Sequence, residues 1–282
     1  MIPGRPSETA LQVAAARAAH LRFDPDPHLL EDVCALDLLG SESAGLIEGY
    51  SNDGPWMLVE NRLFISLRAR YFEDRMRAAH DRGVRQVVVL GAGLDSLAFR
   101  QTVADVEIFE VDFPSTQEWK QARLDSLNWA PPRNLHFVPC DFEATSLPEV
   151  LRETCFDPTK PSVVSWMGVV YYLQKETVAA ALADLESIMA KGSELVFDLM
   201  RPWEELSERY QEIREIMARF LESAGEPHVN RYTRDEIVEV ILAAGFEQAI
   251  VEEREDLIAR YIAPLQTSIP LSERFRLVAA TK

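Results

Sequence analysis

The sequence predicts an α/β protein with a doubly wound, mostly parallel sheet of seven strands. Five short apolar segments rich in β-branched residues alternate with segments of helical periodicity, and two more strand-like segments follow near the end of the chain. The first three strands are each followed by glycine or acidic residues, which is typical of the ligand-binding edge of such a sheet. With 282 residues and a hydrophobic fraction of 47%, the chain can form one large domain.

Residues 1–83 are predicted to form an N-terminal helical extension. Helices are expected over residues 8–23 and 28–39, separated by two Asp-Pro pairs that interrupt helical structure. Residues 41–54 contain three glycines and are expected to form a loop. A long helix is then predicted from Pro55 to about residue 82.

Arg70 lies on this long helix beside an apolar stripe that includes Leu67 and Tyr71. We therefore expect its side chain to be partly buried. It could form a helix-surface ion pair with Glu73 or Asp74. Alternatively, its guanidinium group could bind a ligand carboxylate near the end of the first strand, because two parallel hydrogen bonds suit that group.

The first strand, over residues 86–90, leads into the turn Gly91-Ala92-Gly93. Glycines allow a tight turn and let a ligand approach the backbone. A helix is expected to follow, capped by Asp95 or Ser96. A strand, a glycine turn and a helix N-terminus together indicate a nucleotide-type crevice, although an ordinary strand-to-helix turn has the same pattern.

The next two strands end in acidic residues. The second strand, over residues 106–112, ends at Asp112, about 20 residues after Gly91, where a ribose-binding carboxylate is expected. The third strand, over residues 135–140, is followed by Asp141. The ends of the first three strands should therefore meet at one edge of the sheet.

The rest of the chain continues the alternation and adds a helical insertion. Residues 203–223 have a mostly charged helical pattern and are expected to lie over the ligand crevice as a lid. Thr233 and Glu236 have the spacing of a capping box. The other expected elements are a fourth strand over 162–168, a helix over 176–191, a fifth strand over 194–199, a helix over 233–244 and strands over 248–253 and 275–280. One domain is predicted, with four parts: the helical extension 1–83, the cofactor-binding core 84–200, the lid insertion 201–232 and the final part 233–282.

Composition excludes several classes of function. The 29 basic and 46 acidic residues give a net charge of −17, which repels nucleic acids and anionic membranes. The cysteines, Cys34, Cys140 and Cys155, are too scattered for a disulfide framework or a metal site, and the histidines have no metal-ligand spacing, so no metal is expected. No signal-peptide core or membrane span is apparent, and a cytoplasmic protein is predicted.

Two cofactors could occupy the crevice. A dinucleotide site usually has a third small residue, glycine or alanine, where this chain has Ser96. S-adenosylmethionine has no phosphate and needs a ribose-binding acid, a polar contact to adenine and a group that binds its carboxylate. Asp112, Asp141 and Arg70 could supply these in that order, and acidic residues also suit the sulfonium charge.

Several motifs of the chain are found together in one known family. They are Thr9-Ala10-Leu11, residues 68–72, residues 89–96 with Arg100, residues 109–114 and Asp141-Phe142. In these motifs the sequence resembles the leucine carboxyl methyltransferase family of class I S-adenosylmethionine-dependent methyltransferases, and within it a bacterial branch of O-methyltransferases. The resemblance extends over nearly the whole chain.

The resemblance implies S-adenosylmethionine as the cofactor and O-methylation of a carboxyl or hydroxyl group on a small molecule. Arg70 would hold the methionine carboxylate, with Arg68 as a substitute. The eukaryotic carboxyl methyltransferases have a glutamate where this chain has Met167, so their protein substrate is not expected to carry over. The remaining cofactor-binding residues would be Gly91, Ala92 and Gly93 at methionine and ribose, Asp112 at the ribose, Asp141 and Phe142 at adenine, and also Phe113, Trp166 and Met167.

The acceptor side is less well defined by sequence. Tyr172 is the preferred catalytic candidate, because it follows the fourth strand at the ligand edge. Two other functions remain open at this point, an NAD(P)-dependent oxidoreductase and a non-catalytic S-adenosylmethionine-binding protein. The identity of the acceptor and the oligomeric state are also open. The acceptor-pocket candidates are Trp166, Tyr171, Tyr172, Arg201, His228 and Tyr232.

Overall fold

Seven strands form one sheet in the computed structural model, which describes residues 7–40, 43–100, 103, 105–141, 145–223 and 227–282. The strand order is β3-β2-β1-β4-β5-β7-β6, and β7 is antiparallel to both of its neighbours. The strands are β1 (Gln86–Leu90), β2 (Glu107–Asp112), β3 (Leu135–Pro139), β4 (Ser162–Trp166), β5 (Glu194–Met200), β6 (Gln248–Val251) and β7 (Phe275–Thr281). The predicted fold class, a doubly wound and mostly parallel seven-stranded sheet, is confirmed.

Helices cover both faces of this sheet. They are α1 (Glu8–Phe23), α2 (Ala35–Leu39), α3 (Ala44–Gly49), α4 (Trp56–Asp81), α5 (Leu97–Arg100), α6 (Pro114–Ser126), α7 (Leu147–Arg152), α8 (Lys175–Ile188), α9 (Glu208–Glu212), α10 (Arg214–Ser223), α11 (Arg234–Ala243) and α12 (Arg254–Leu257). Short 3₁₀ turns over Val170–Tyr172 and Trp203–Glu205, and a π-helical turn over Ile258–Ile262, complete the described elements.

Alternation along the strands divides the core in two. Val88 and Leu90 of β1 point into a cluster that also contains apolar residues of α7, α8 and α11. Val87 and Val89 point into a second cluster, formed with α4, α5 and α12. The run of valines that predicted a strand buried on both faces therefore serves two cores at once.

The carboxyl ends of the central strands lie side by side. Leu90 is in register with Val111, and Asp112 with Pro139, so the turns after β1, β2 and β3 are neighbours. Because β7 runs antiparallel, with Phe275 opposite Met200, its first residue lies at this same edge. We call this edge the ligand edge.

Several predicted helix ends are confirmed. The Thr233 hydroxyl accepts a hydrogen bond from the Glu236 amide at 3.2 Å, and the Glu236 carboxylate accepts one from the Thr233 amide at 2.8 Å. This is the predicted capping box. Pro114 occupies the first turn of α6. The lid segment, residues 203–223, is helical over α9 and α10, as its pattern predicted.

Two predictions in the N-terminal extension are wrong. Residues 28–34 are not helical, because the Asp32 carboxylate accepts hydrogen bonds from the amides of Cys34 and Ala35 and starts the helix only at Ala35. Within the expected loop over residues 41–54, Ala44–Gly49 is a helix, since the buried Ile47 packs in a cluster with α1. No helix among the described residues is long and apolar enough to cross a membrane.

Candidate active site

The turn after β1 requires glycine at two positions. Gly91 and Gly93 have φ angles of +63° and +51°, which residues with a Cβ rarely adopt. A Cβ on Gly91 would lie 3.0 Å from Val169 Cγ2, and one on Gly93 would lie 3.0 Å from the Cβ of Ala10 on α1. The Asp95 carboxylate accepts a hydrogen bond from the Leu97 amide at 2.7 Å, so Asp95 caps α5, one of the two predicted caps.

Asp112 contacts this glycine turn directly. Its carboxylate accepts hydrogen bonds from the amides of Gly93 at 2.5 Å and Phe113 at 2.6 Å. Burial raises the pKa of Asp112, although these two hydrogen bonds act in the opposite direction. The Cys140 amide donates to the Asp112 carbonyl oxygen at 2.8 Å, which places Asp141 one residue beyond that contact.

The structure therefore brings the ends of the first three strands together at the ligand edge, as predicted. Phe142, the expected adenine contact, lies outside the described residues. The cofactor role of each residue remains a proposal.

A cavity of about 70 Å³ lies beside the glycine turn, between the sheet and helices α1 and α4. Ligand pockets typically measure about 300–1,000 Å³, so this cavity accounts for only part of the space that a nucleoside-sized ligand needs. Of the predicted cofactor-binding residues, Gly91, Ala92 and Met167 line it. The polar and charged side chains of its wall belong to Arg17, Arg68, Glu73, Asp95, Arg100 and Ser165.

Arg68, rather than Arg70, faces this cavity. Arg68 is buried and donates hydrogen bonds to the Asp198 carboxylate at 2.9 Å and the Tyr171 hydroxyl at 3.3 Å. Burial lowers the pKa of Arg68, but the Asp198 carboxylate outweighs this and raises it. The side chain of Arg70 is 41% exposed and pairs with Asp74 at 2.9 Å.

The expectation that Arg70 reaches the ligand is therefore corrected by its position. Two residues along a helix are separated by about 200° of rotation, so Arg68 and Arg70 point to opposite sides of α4. The alternative interpretation of Arg70, a helix-surface ion pair with Asp74, matches the structure.

A buried charge network that the sequence did not predict supports the cavity wall. Asp32 accepts hydrogen bonds from Arg17 at 2.7 Å and Ser96 at 2.7 Å, and Arg100 pairs with it at 3.2 Å. Burial raises the pKa of Asp32, but the two guanidinium groups outweigh this and lower it. Ser96, the residue that departs from a dinucleotide fingerprint, is thus a fully buried member of this network. An arginine in the middle of the alanine run of α1 was the available sequence signal for Arg17.

Trp166 belongs to the core rather than to the cavity wall. It is 5% exposed and packs against Phe197, with ring centroids 6.0 Å apart. Met167, the next residue, does line the cavity, because successive residues after a strand point to opposite sides. The prediction that both contact the cofactor therefore has positional support only for Met167.

Tyr172 lies in an aromatic group with Tyr171 and His228, which also joins the cavity through Arg68. The Tyr172 ring centroid is 4.8 Å from that of Tyr171 and 5.2 Å from that of His228. Burial, with the positive charge of Arg274, lowers the pKa of His228 to about 3. His228 is therefore neutral at pH 7, and its buried Nδ1 has no hydrogen-bond partner among the described residues.

The other acceptor-pocket candidates have structural contacts. Tyr232 is 1% exposed and lies in the core, with its backbone amide bonded to the Met200 carbonyl oxygen. Arg201 pairs with Glu205 at 3.3 Å. These positions make both of them framework residues of the ligand edge.

Within the described part of the chain, the one group of potential metal ligands lies far from this cavity. Glu107, His136 and Cys155 place one ligand atom each within 4.8 Å of one another. Glu107 and His136 are at the amino ends of β2 and β3, which is the opposite edge of the sheet. The expectation that the site uses no metal stays a prediction.

Comparison with known proteins assigns the chain to a family. A family model described as leucine carboxyl methyltransferase matches residues 10–186. The chain belongs to the leucine carboxyl methyltransferase family. Its relative YktD from Bacillus subtilis (strain 168), named as an S-adenosyl-L-methionine-dependent methyltransferase, is 31% identical over 262 residues, which are 85% of this chain and 86% of YktD.

Two solved structures show the same fold as this family member. A duf574 family protein from Streptomyces avermitilis has a TM-score of 0.60 at 15% identity, covering 99% of this chain and 98% of that one. A protein from Thermobifida fusca, described as a methyltransferase, has a TM-score of 0.57 at 17% identity, covering 99% and 96%. At these identities the likeness concerns the fold alone.

As a member of the leucine carboxyl methyltransferase family, the chain is an S-adenosylmethionine-dependent methyltransferase, and S-adenosylmethionine is its cofactor. The residues present fit this cofactor. The turn after β1 has two glycines where side chains would collide, and the Asp112 carboxylate adjoins it at the end of β2. A buried arginine, Arg68, lines the same cavity as Gly91 and Ala92 of this turn.

Proposed function

We propose that this methyltransferase transfers the methyl group to an oxygen atom, of a carboxyl or hydroxyl group, on a small molecule. The observation that supports the proposed site best is the hydrogen bond between the Gly93 amide and the Asp112 carboxylate, in the turn whose Gly91 and Ala92 line a cavity together with Arg68. This hydrogen bond places the proposed ribose-binding acid, Asp112, beside the turn that lines the same cavity as the proposed carboxylate-binding cation, Arg68. When bound, S-adenosylmethionine supplies a methyl group activated by a sulfonium.

The proposed cofactor site combines one cation, two acids, the backbone of the glycine turn and three apolar side chains. Arg68 binds the methionine carboxylate through the guanidinium N–H groups that do not bond Asp198. Asp112 accepts hydrogen bonds from the ribose hydroxyls, and Asp141 contacts adenine. Gly91, Ala92 and Gly93 line the ligand with backbone only. Phe113, Phe142 and Met167 complete the proposed cofactor site.

The acceptor site is proposed next to the Tyr171–Tyr172–His228 group. Direct displacement needs the acceptor oxygen close to the methyl group and in line with it, so positioning and exclusion of water provide most of the rate. Tyr172 positions the acceptor in this proposal. Because a carboxylate is already ionised at pH 7, it needs no general base. A hydroxyl acceptor does need one, and the lowered pKa of His228 makes that side chain a weak base.

Two measurements test this function. Isothermal titration with S-adenosylhomocysteine, and separately with NADH, should give binding of the first alone, which an oxidoreductase would not. Methyl transfer from labelled S-adenosylmethionine to a panel of carboxylic acids, phenols, amines and thiols should yield methyl esters or ethers. Esters release methanol in mild base whereas ethers do not. Transfer only to amines or thiols contradicts the proposal, and no transfer to any acceptor would support a non-catalytic binding protein.

A further inference from the structure

Arg274 is a buried guanidinium group at the ligand edge that lacks a carboxylate partner among the described residues. Its side chain belongs to a residue only 6% exposed. The polar contacts of its guanidinium are weak: Nη2 donates to the Asn61 side-chain oxygen at 3.4 Å and Nη1 to the Met217 sulfur at 3.6 Å. Its Nε is buried and has no partner within the described part of the chain.

The other strongly buried arginines differ in this respect. Each is paired with a carboxylate, as expected because an unpaired buried charge is costly. The pairs are Arg17 with Asp32 at 2.7 Å, Arg62 with Asp24, Arg68 with Asp198 at 2.9 Å, and Arg100 with Glu73 at 2.8 Å. Arg274 therefore stands out as a buried cation whose charge is left for something else to balance.

The carboxylate that acts on Arg274 from nearby is already engaged. Glu60 accepts hydrogen bonds from Arg209 at 2.9 Å and from the Tyr210 hydroxyl, one on each oxygen. Both partners belong to α9 of the lid, so Glu60 serves to hold the lid to the start of α4. Arg209 also stacks on Trp56, with its guanidinium carbon 3.4 Å from the ring centroid.

Arg274 is also close to the proposed acceptor site. Its guanidinium carbon lies 4.8 Å from the ring centroid of Phe275, and the ring centroid of Tyr171 lies 6.1 Å from that of Phe275. Tyr171 in turn contacts Arg68 of the cavity wall. A second cation, Arg231, stacks on Trp203 at 4.0 Å and bonds a backbone carbonyl rather than a carboxylate.

We propose that Arg274 determines acceptor specificity by binding an anionic group, a carboxylate, sulfonate or phosphate, carried by the small-molecule acceptor. This inference rests on the proposed function, since it names the class of acceptor for that same site. An anion at this position balances the buried charge and accepts hydrogen bonds from Nε and the terminal nitrogens, which a planar guanidinium offers as a pair. The neutral His228 and the tyrosines beside it add donors without adding a competing negative charge.

Matched aromatic probes test the proposal on the full chain saturated with S-adenosylhomocysteine. Benzoate, benzenesulfonate and phenyl phosphate share a ring with neutral benzamide and differ in charge. Titration calorimetry should show at least one anion binding about 10-fold more tightly than benzamide. In Arg274→Gln this preference should disappear, and in Arg274→Lys it should fall about 3- to 10-fold because the paired geometry is lost. Arg276→Gln, two residues further along the chain in β7 and already paired with Glu205, should keep it.

The outcomes separate Arg274 from the rest of the site. Equal binding of anions and benzamide by the wild-type protein, including no binding of either, overturns the proposal, as does a preference that persists in Arg274→Gln. Affinity for S-adenosylhomocysteine within about 2-fold of wild type shows that a variant is folded. If Arg274→Gln fails this check, Arg274→Lys decides, and an unchanged anion preference there counts against the proposal. Methyl transfer to oxygen on neutral and anionic acceptors alike would refute the role of Arg274 and leave the O-methyltransferase function intact. An anion preference with transfer only to nitrogen or sulfur would support the role of Arg274 and refute the O-methyltransferase function.

Discussion

The two sides of the crevice are built differently. On the proposed cofactor side, most ligand-facing groups come from the ends of consecutive strands and Arg68 is added by α4. Two buried charges there are already balanced, Arg68 by Asp198 and Asp32 by two arginines. On the acceptor side, residues from the lid, the segment before α11 and the start of β7 meet, and the buried Arg274 and His228 retain atoms without partners among the described residues. The comparison shows paired buried charges on the proposed cofactor side and unpartnered buried polar atoms on the proposed acceptor side, which fits the proposal that an acceptor ligand supplies the missing partners.

The largest effect on stability is expected from removing the charge of Arg68 on the proposed cofactor side. Arg68→Met leaves Asp198 buried without its cation, which should lower the free energy of unfolding by about 3–5 kcal/mol. Chemical denaturation measures this. Arg70→Met is the matched control two residues along α4, and removing its half-exposed pair with Asp74 should cost less than about 1 kcal/mol. For binding, Arg68→Lys should weaken S-adenosylhomocysteine at least about 10-fold. Equal effects of the two positions would mean that Arg68 has no special role.

Asp112 tests the acid on the cofactor side. Asp112→Ala should weaken binding of S-adenosylhomocysteine by about 1.5–3 kcal/mol, because charge-assisted hydrogen bonds to the ribose are lost. Calorimetric titration is the measurement, with Asp125→Ala on the exposed face of α6 as control. An unchanged dissociation constant in Asp112→Ala would show that the ribose binds elsewhere.

The pH dependence of stability tests whether His228, on the proposed acceptor side, is buried in its neutral form. Its folded-state pKa of about 3 lies below its ordinary value of 6.5, so the neutral ring stabilises the fold above pH 6.5, and this stability is lost as the pH falls toward 3. Compared with His228→Gln, the wild type should lose up to about 2 kcal/mol more of its unfolding free energy between pH 7 and pH 5. Parallel stability curves for the two proteins over that range would argue against a buried neutral histidine.

The smallest effect is expected at Tyr172. If its hydroxyl positions the acceptor, Tyr172→Phe should raise the KM for an identified acceptor by about 3- to 10-fold, the value of one hydrogen bond, and leave affinity for S-adenosylhomocysteine unchanged. A loss of affinity for S-adenosylhomocysteine without a change in the acceptor KM would indicate that Tyr172 contacts the cofactor rather than the acceptor. Steady-state kinetics together with cofactor titration distinguishes the two results.

The fold and the first half of the site were predictable because local chemistry encodes them. The valine run of β1, the glycines after it and the acids that end β2 and β3 are signals carried by neighbouring residues. The choice between Arg68 and Arg70 was not predictable in this way. The apolar stripe with Leu67 and Tyr71 suggested Arg70, but α4 is buried almost all round between residues 62 and 68, so the stripe did not identify the side that faces the cavity.

By itself, the sequence determined the alternation of strands and helices along the chain, the glycine turn, the position of Asp112 and membership of a methyltransferase family. Only the tertiary structure decided which arginine faces the cavity, that Ser96 joins a buried network with Asp32 and Arg17, and that Arg274 is left without a carboxylate partner among the described residues. The physical reason is the separation along the chain of the residues that interact. Strand and turn preferences act between adjacent residues, whereas burial and charge balance depend on side chains that are up to 213 positions apart, as Asn61 and Arg274 are.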